Sequence, residues 1–255
     1  MNKNIINKRK KNIFNLYIVL SLFFVVFFLI FLNFFLDKNK LIDKIKILIE
    51  KYSIIHGYTL DKINIYELNY LTEKDILNYF DPYISKSIFL IPLDQIAHNV
   101  SQIKWVENIE IKSNFKNSLD VLINEEVPFG IYSNNNQNVL FSENLIALEM
   151  IKNINKYNDF TIFFGINSID NSVKFFENFD NEFEKSIQYA YYIQNRRWDI
   201  QLKNNVLLKL PENRINESIN NYQKIYSNIS DIDMKEIESI DLRFNNKAII
   251  RYREQ

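Results

Sequence analysis

From Leu16 to Leu36 the chain reads LYIVLSLFFVVFFLIFLNFFL, an uncharged run in which only Ser21 and Asn33 are strongly polar. At about 1.5 Å rise per residue such a run spans about 30 Å as a helix, the thickness of a bilayer's hydrocarbon core. Lipid offers the backbone no hydrogen-bond partner, so a single segment crossing it must be helical. A cleaved signal peptide would carry a shorter apolar stretch, about 7–15 residues, closed by a small-x-small site. Here the run leaves through Phe34, Phe35, Leu36, Asp37 and Lys38. Residues 13–36 are therefore expected to form one transmembrane helix. Lys3, Lys8, Arg9, Lys10 and Lys11 are the only charges before Asp37, and they place the tail 1–12 in the cytoplasm. Everything after Asp37 is then exported.

The same charges account for the overall balance. The chain is formally neutral, with 31 basic and 31 acidic residues. The tail holds +5 of this, so the exported part is net acidic. A nucleic-acid binder needs a basic face on its folded part, and this pattern argues against one. Cysteine is absent, which removes disulfides, thiolate nucleophiles and cysteine metal sites. Only three glycines occur, so asparagine, which tolerates positive φ, is expected at many left-handed turn positions.

Beyond the span, Leu41, Ile45 and Leu48, with Ile42 and Ile49 alongside, mark a helical stalk over 37–57 that His56 and Gly57 break. Tyr58 to Glu67 reads as a strand, and Thr72-Glu-Lys-Asp75 as the N-terminus of a short helix closed by Pro82. Pro92 to Ile103 gives a second helix. Strands Val106–Phe115 and Ser118–Glu125 follow, joined by a turn at Asn117-Ser118. Strand, helix, helix, strand, strand is a compact α+β unit. After Pro128 come a polar loop from Asn134 to Asn138, a short strand at Val139–Phe141, an apolar run at Phe160–Phe164 and helical spacing through Val173, Phe176, Phe179 and Phe183. Ile187 to Ile193 alternates as a strand. Trp198–Leu202 with Val206–Leu210, and Ile240–Phe244 with Ala248–Arg253, read as two hairpins. Ile215, Ile219, Tyr222 and Tyr226 mark one more helix between them. The second part is thus expected to be an antiparallel sheet with flanking helices.

Catalytic groups are not to be found in this pattern. His56 and His98 have no spaced partner for a zinc site or a triad, and three isolated glycines make no phosphate loop. Glu125-Glu126 and Asp231/Asp233 sit where solvated charge is usual. No catalytic residue, metal ligand, cofactor or small-molecule substrate is expected. Arg196-Arg197-Trp198 has two readings: a core tryptophan beside solvated arginines, or an Arg/Trp surface of the kind that anchors protein partners. Ala248 to Arg253 would offer unpaired backbone groups if it lay at a sheet edge, which the sequence alone leaves open.

Five segments in order carry a family resemblance: Gln102-Ile-Lys-Trp-Val106; Phe115-Lys-Asn-Ser-Leu119 with Glu125-Glu-Val-Pro128; Arg196-Arg-Trp-Asp-Ile200; Leu210-Pro-Glu212; and Ile240-Asp-Leu-Arg-Phe244. With the anchor before them, the chain resembles FtsQ/DivIB, the single-span cell-division proteins of bacteria. Lys116 stands where that family usually has proline, Glu126 where it has arginine, and Glu67-Leu-Asn69 lacks the glycine expected after the first strand. The resemblance implies a βααββ POTRA (polypeptide-transport-associated) domain over 58–128 and a β domain over 129–255. It also implies a non-enzymatic scaffold of the septal division complex in the inner membrane, with the exported domains periplasmic. Its partners would be FtsB-like and FtsL-like proteins, and other division components are open to it. The implied contacts are Arg196, Arg197, Trp198, Arg243 and Phe244, with strand addition along Ala248, Ile249, Ile250, Arg251 and Tyr252. The alternative is a POTRA-bearing export or envelope-assembly factor, which would be expected to carry several such units or a β-barrel.

Overall fold

The computed structural model describes residues 17–31, 38–134, 137–245 and 247–254. Residues 17–31 form helix α1, exposed along its length. Among the described residues no helix is both long and apolar enough to cross a membrane. The expected tail 1–12, and residues 13–16 and 32–36 of the expected span, lie outside the described residues. Two compact units divide the chain: Met1–Tyr66, Lys74–Ile96 and Ile111–Val121 in the first, and Glu67–Glu73, Ala97–Glu110 and Leu122–Gln255 in the second.

In the first unit α2 runs from Lys38 to His56 and stops at Gly57, whose φ of +71° no helix accepts. One side of α2 is fixed: the Ser53 and Ser87 hydroxyls meet at 2.7 Å, and the Ser87 N–H donates to the Glu50 carboxylate. Along the chain, through residues assigned to both units, the expected strand–helix–helix–strand–strand order follows as β1 (Lys62–Tyr66), α3 (Glu73–Leu77), α4 (Leu93–Val100), β2 (Val106–Ser113) and β3 (Ser118–Glu125), with strand order β1-β3-β2. The central strand β3 has Leu119, Val121 and Ile123 fully buried at every second position, the period that a strand imposes. The turn before it is held by Asn114, whose Oδ1 accepts the N–H groups of Lys116, Asn117 and Ser118. A proline at 116 could not supply the first of these donors, so the departure from the family pattern has a local replacement.

The second unit holds a nine-stranded sheet made of β4 (Pro128–Asn134), β5 (Gln137–Ser142), β6 (Ala147–Ile151), β7 (Thr161–Phe164), β8 (Ile187–Ile193), β9 (Arg197–Leu202), β10 (Leu207–Lys209), β11 (Ile237–Asp241) and β12 (Ile249–Tyr252). Their order is β12-β11-β10-β9-β8-β7-β4-β5-β6. The sheet is mixed, which corrects the antiparallel expectation: β4–β7, β7–β8 and β10–β11 are parallel. Parallel neighbours need a crossover. Helices α5 (Ser168–Phe176) and α6 (Asn181–Ser186) supply it between β7 and β8, and α7 (Ile215–Asn228) and α8 (Asp231–Glu236) between β10 and β11. Strand β11 also ends three residues earlier than expected, its last bond being that of the Leu242 N–H to the Lys209 carbonyl of β10 at 2.9 Å.

The main core of this unit is aromatic. Phe141, Phe163, Phe175, Phe176, Phe183 and Trp198 pack with Ile200, Leu208 and Ile240. A smaller cluster of Ile131, Leu140, Leu148 and Ile151 gathers Trp105, Phe160 and Ile162 around it. Gly165 closes β7 with φ +107°, and a Cβ there would collide with the Tyr192 carbonyl oxygen. Glycine is the residue that lets these backbones approach.

Candidate partner-binding edge

Strand β12 is one of the two edge strands of the nine-stranded sheet, β6 being the other, and among the described strands it pairs with β11 alone. The antiparallel register sets Ile249 opposite Asp241, Ile250 opposite Ile240, and Arg251 opposite Ser239. The Arg253 N–H points inward and donates to the Glu236 carbonyl at 2.8 Å. Backbone direction alternates along a strand, so the N–H groups of Ile250 and Tyr252 face the open edge. Ile249 and Tyr252 expose half or more of their surface, while Ile250 and Ala248 pack in part on the core. The end of the strand is tied down by Arg253, which donates to the carbonyls of Lys235 and Asn205. Arg251 pairs with Glu238 of β11 at 2.9 Å.

A charged row leads from this edge across one face of the sheet. Register places Tyr191, Asp199, Lys209, Asp241 and Ile249 side by side on β8 to β12. Arg243 folds back on Asp241 with two hydrogen bonds, 2.8 Å from Nε and 2.5 Å from a terminal nitrogen. That bidentate pair holds the Asp241 carboxyl below its ordinary range and raises the arginine. Asp199 is buried, and burial pushes its carboxyl up against the pull of Arg197, Arg243 and Lys209. Arg197 Nε lies 3.6 Å from Asp199 Oδ1, too far for a hydrogen bond, and neither atom has another partner among the described residues.

The remaining expected contacts are spread. A tight turn with Gln194 and Asn195 both at positive φ delivers Arg196 exposed at the head of β9, where Nε sits 3.5 Å from Glu212. Trp198 points to the opposite face, only 5% exposed, stacked on Phe175 at 4.5 Å and 12°. It touches the core and offers no surface to a partner. Phe244 is exposed beyond β11, with the Lys247 ammonium 5.3 Å from its ring centre. The edge and the row thus gather Arg197, Arg243 and Ile249 to Tyr252 in one sheet region, with Arg196 at a hairpin tip and Trp198 behind.

Asp199 and Lys209 are members of the row that sequence reasoning passed over. Their signal was present: a turn centred on Asn204 makes them equidistant partners. Glu125, part of a motif, proves to be a clamp whose carboxylate accepts the N–H groups of Asn69, Tyr70 and Leu71 at 2.7–2.9 Å. Glu67, where the family has glycine nearby, sits at φ +68°. Among the described residues no cluster of His, Asp and Glu could hold a metal ion.

Two family models match the chain: "POTRA domain, FtsQ-type" over residues 58–126 and "Cell division protein FtsQ/DivIB, C-terminal" over 131–243. Cell division protein FtsQ of Rhizobium meliloti is 20% identical over 200 residues, covering 76% of this chain and 63% of its own length. Its namesakes in Rickettsia felis and Rickettsia prowazekii are each 26% identical, over 76% of this chain and 72–73% of theirs. The major extracytoplasmic domain of DivIB from Geobacillus stearothermophilus superposes loosely, with TM-score 0.33 and 12% identity over 42% of this chain and 99% of that one. With both FtsQ-specific models matched in order over most of its length, the chain belongs to the FtsQ/DivIB family of bacterial cell-division proteins.

Proposed function

We propose that the protein is a non-enzymatic scaffold of the division septum that captures FtsB-like and FtsL-like partners by strand addition to β12. The reading sets the N-terminus in the cytoplasm, one span over 13–36 in the inner membrane, a stalk over 37–57, and the POTRA domain 58–128 and β domain 129–255 in the periplasm. Its support for the anchor is the apolar girth of α1, exposed on every side, which suits lipid rather than water. Arg243 and Phe244, past the end of β11, are the contacts nearest the added strand. Arg196 and Arg197, three strands further in at the head of β9, are read as contacts for a more distant part of the partner, with Trp198 keeping β9 in place behind them. The observation that carries the proposal is the edge itself: β12 ends the sheet with two backbone donors facing outward.

The test is Ile250→Pro. Proline removes an outward donor and leaves the inward bonds of β12 to β11, so the fold is retained, as edge strands tolerate proline. One lost hydrogen bond, about 0.5–1.5 kcal/mol, plus the ring in the path of the incoming backbone predicts capture at least about tenfold weaker. Binding of a purified FtsB-like periplasmic segment to the full chain measures it, with thermal melting as the folding control. Undiminished capture by a folded variant would place the interface elsewhere.

A further inference from the structure

Helix α2 carries a second pattern that the β12 edge does not use. Leu41, Ile45, Leu48, Tyr52 and Ile55 follow one another at spacings of four, three, four and three, and each is between 46% and 66% exposed. At 3.6 residues per turn these five fall on a strip about 80° wide. The strip cannot roll inward, because Ser53, about a third of a turn away, and Glu50, about half a turn away, are fixed on Ser87. The apolar repeat averages about 3.5 residues, the spacing of a helix-pair seam, and although Ile42 and Ile49 widen the apolar face to about 140°, all five seam residues stay exposed among the described residues. Alongside the strip Leu48, Tyr52 and Ile55 line, with Phe89, an open and almost wholly apolar concavity of about 630 Å³, a ready receptacle for side chains of a facing helix.

The margins say what kind of helix fits. Lys44 and Lys51 each precede a seam residue, along one flank, and both are exposed. The other flank is Ile42 and Ile49. Both acids of the helix, Asp43 and Glu50, lie on the side away from the strip, and Glu50 is engaged with the Ser87 N–H. A second copy set parallel would bring each lysine against isoleucine, and one set antiparallel would bring lysine against lysine. We propose that the outward face of α2 docks one helix of a different chain, with apolar residues at heptad positions and carboxylates along its flank. Two heptads are few for an isolated helix pair, and α2 reduces the ordering cost by being already formed and anchored.

The probe is a labelled peptide of about three heptads with Leu at the seam and Glu on the flanks, compared with its Lys-flanked twin, titrated by anisotropy against the full chain in detergent. The acidic peptide binds at least about tenfold tighter than the basic one. Leu48→Asp weakens it by a similar factor, and the Lys44→Glu/Lys51→Glu double variant reverses the preference. Because the natural chain has no cysteine, a single Leu48→Cys chain forms a disulfide with a peptide cysteine, whereas Ile47→Cys does not. Equal binding of both peptides, indifference to Leu48→Asp, or coupling of the Leu48→Cys chain to a second copy of itself in place of the peptide would each overturn the proposal. Ile250→Pro leaves peptide binding unchanged, so this surface and the β12 edge fail or stand separately.

Discussion

Replacing Trp198 with alanine empties the centre of the aromatic core. The indole is 5% exposed, stacks on Phe175 at 4.5 Å, meets Tyr192 at 4.6 Å and receives the edge of Phe163 at 6.0 Å. Large-to-small replacement of a buried Trp costs about 3–5 kcal/mol through lost transfer energy and the cavity left behind. The face-to-face contact with Phe175 puts this site in the upper half of that range, since such pairs add about 0.5–1.5 kcal/mol beyond area. About 4 kcal/mol is nearly three orders of magnitude in the unfolding equilibrium, against a typical domain stability of about 5–15 kcal/mol. Trp198→Phe keeps an aromatic face for Phe175 and is expected to lose less than half as much.

Urea unfolding reads both variants. The only other tryptophan, Trp105, packs in the smaller cluster of the same unit and remains as the fluorescent reporter. A loss below about 1 kcal/mol in Trp198→Ala would mean that the ring is not packed as described, and the core assignment would go with it. The same pair of variants divides the Arg196-Arg197-Trp198 motif into its parts. Folded Trp198→Phe captures partner normally if the ring acts only behind the sheet; weakened capture with unchanged stability would return Trp198 to the contact surface.

Two further predictions concern charge and topology. Arg243 favours the ionised forms of both Asp241 and Asp199, so the stability difference between the natural chain and Arg243→Gln is full at neutral pH. It begins to shrink as pH falls through the raised Asp199 value, and the Asp241 share starts to fade at the ordinary carboxylate value of about 3.9 and is lost as pH falls through its lowered folded value; thermal melts from pH 7 to 3 that show a constant difference would refute the pairing. A reporter active only outside the cytoplasm is expected to work when fused after Gln255 and to fail within residues 1–12, and the reverse pattern would end the anchor reading.

What the sequence disclosed and what it withheld divide along sequence separation. Strand β3 was legible because burial at Leu119, Val121 and Ile123 has period two, and the β9–β10 hairpin because Asn204 and Asn205 make its turn, Asn205 at φ +66°. The parallel pairs were not legible: β10 meets β11 only after α7 and α8, and no local signal states which strand a crossover returns to. Strands β4 and β6 escaped notice for another reason. The first opens on Pro128 and includes Gly130, and the second, ALEMI, has little alternation, so both are strands by tertiary pairing rather than by propensity. Among the described residues asparagine takes three of the nine non-glycine positive-φ positions, fewer than its abundance suggested. Phe115 and Glu67 are among the other six; there neighbouring N–H groups are held by side-chain oxygens, that of Lys116 donating to Asn114 and that of Asn69 to Glu125.

The same distinction sorts the motif residues by what they do. Trp198 and Glu125 are recurrent-looking because a core and a loop need them: one fills the space behind β9, the other satisfies three backbone donors that no strand or helix pairs. Arg243 is different. It lies past the end of β11, exposed, and its two bonds tie the guanidinium to Asp241, which stands opposite Ile249 of β12. A side chain already ordered in this way would lose little further freedom to a neighbouring strand, and the guanidinium keeps donors beyond the two that Asp241 takes. Core motifs therefore explain why the sheet exists, whereas Arg243 lies beside one of its two edges and serves neither the core nor a loop.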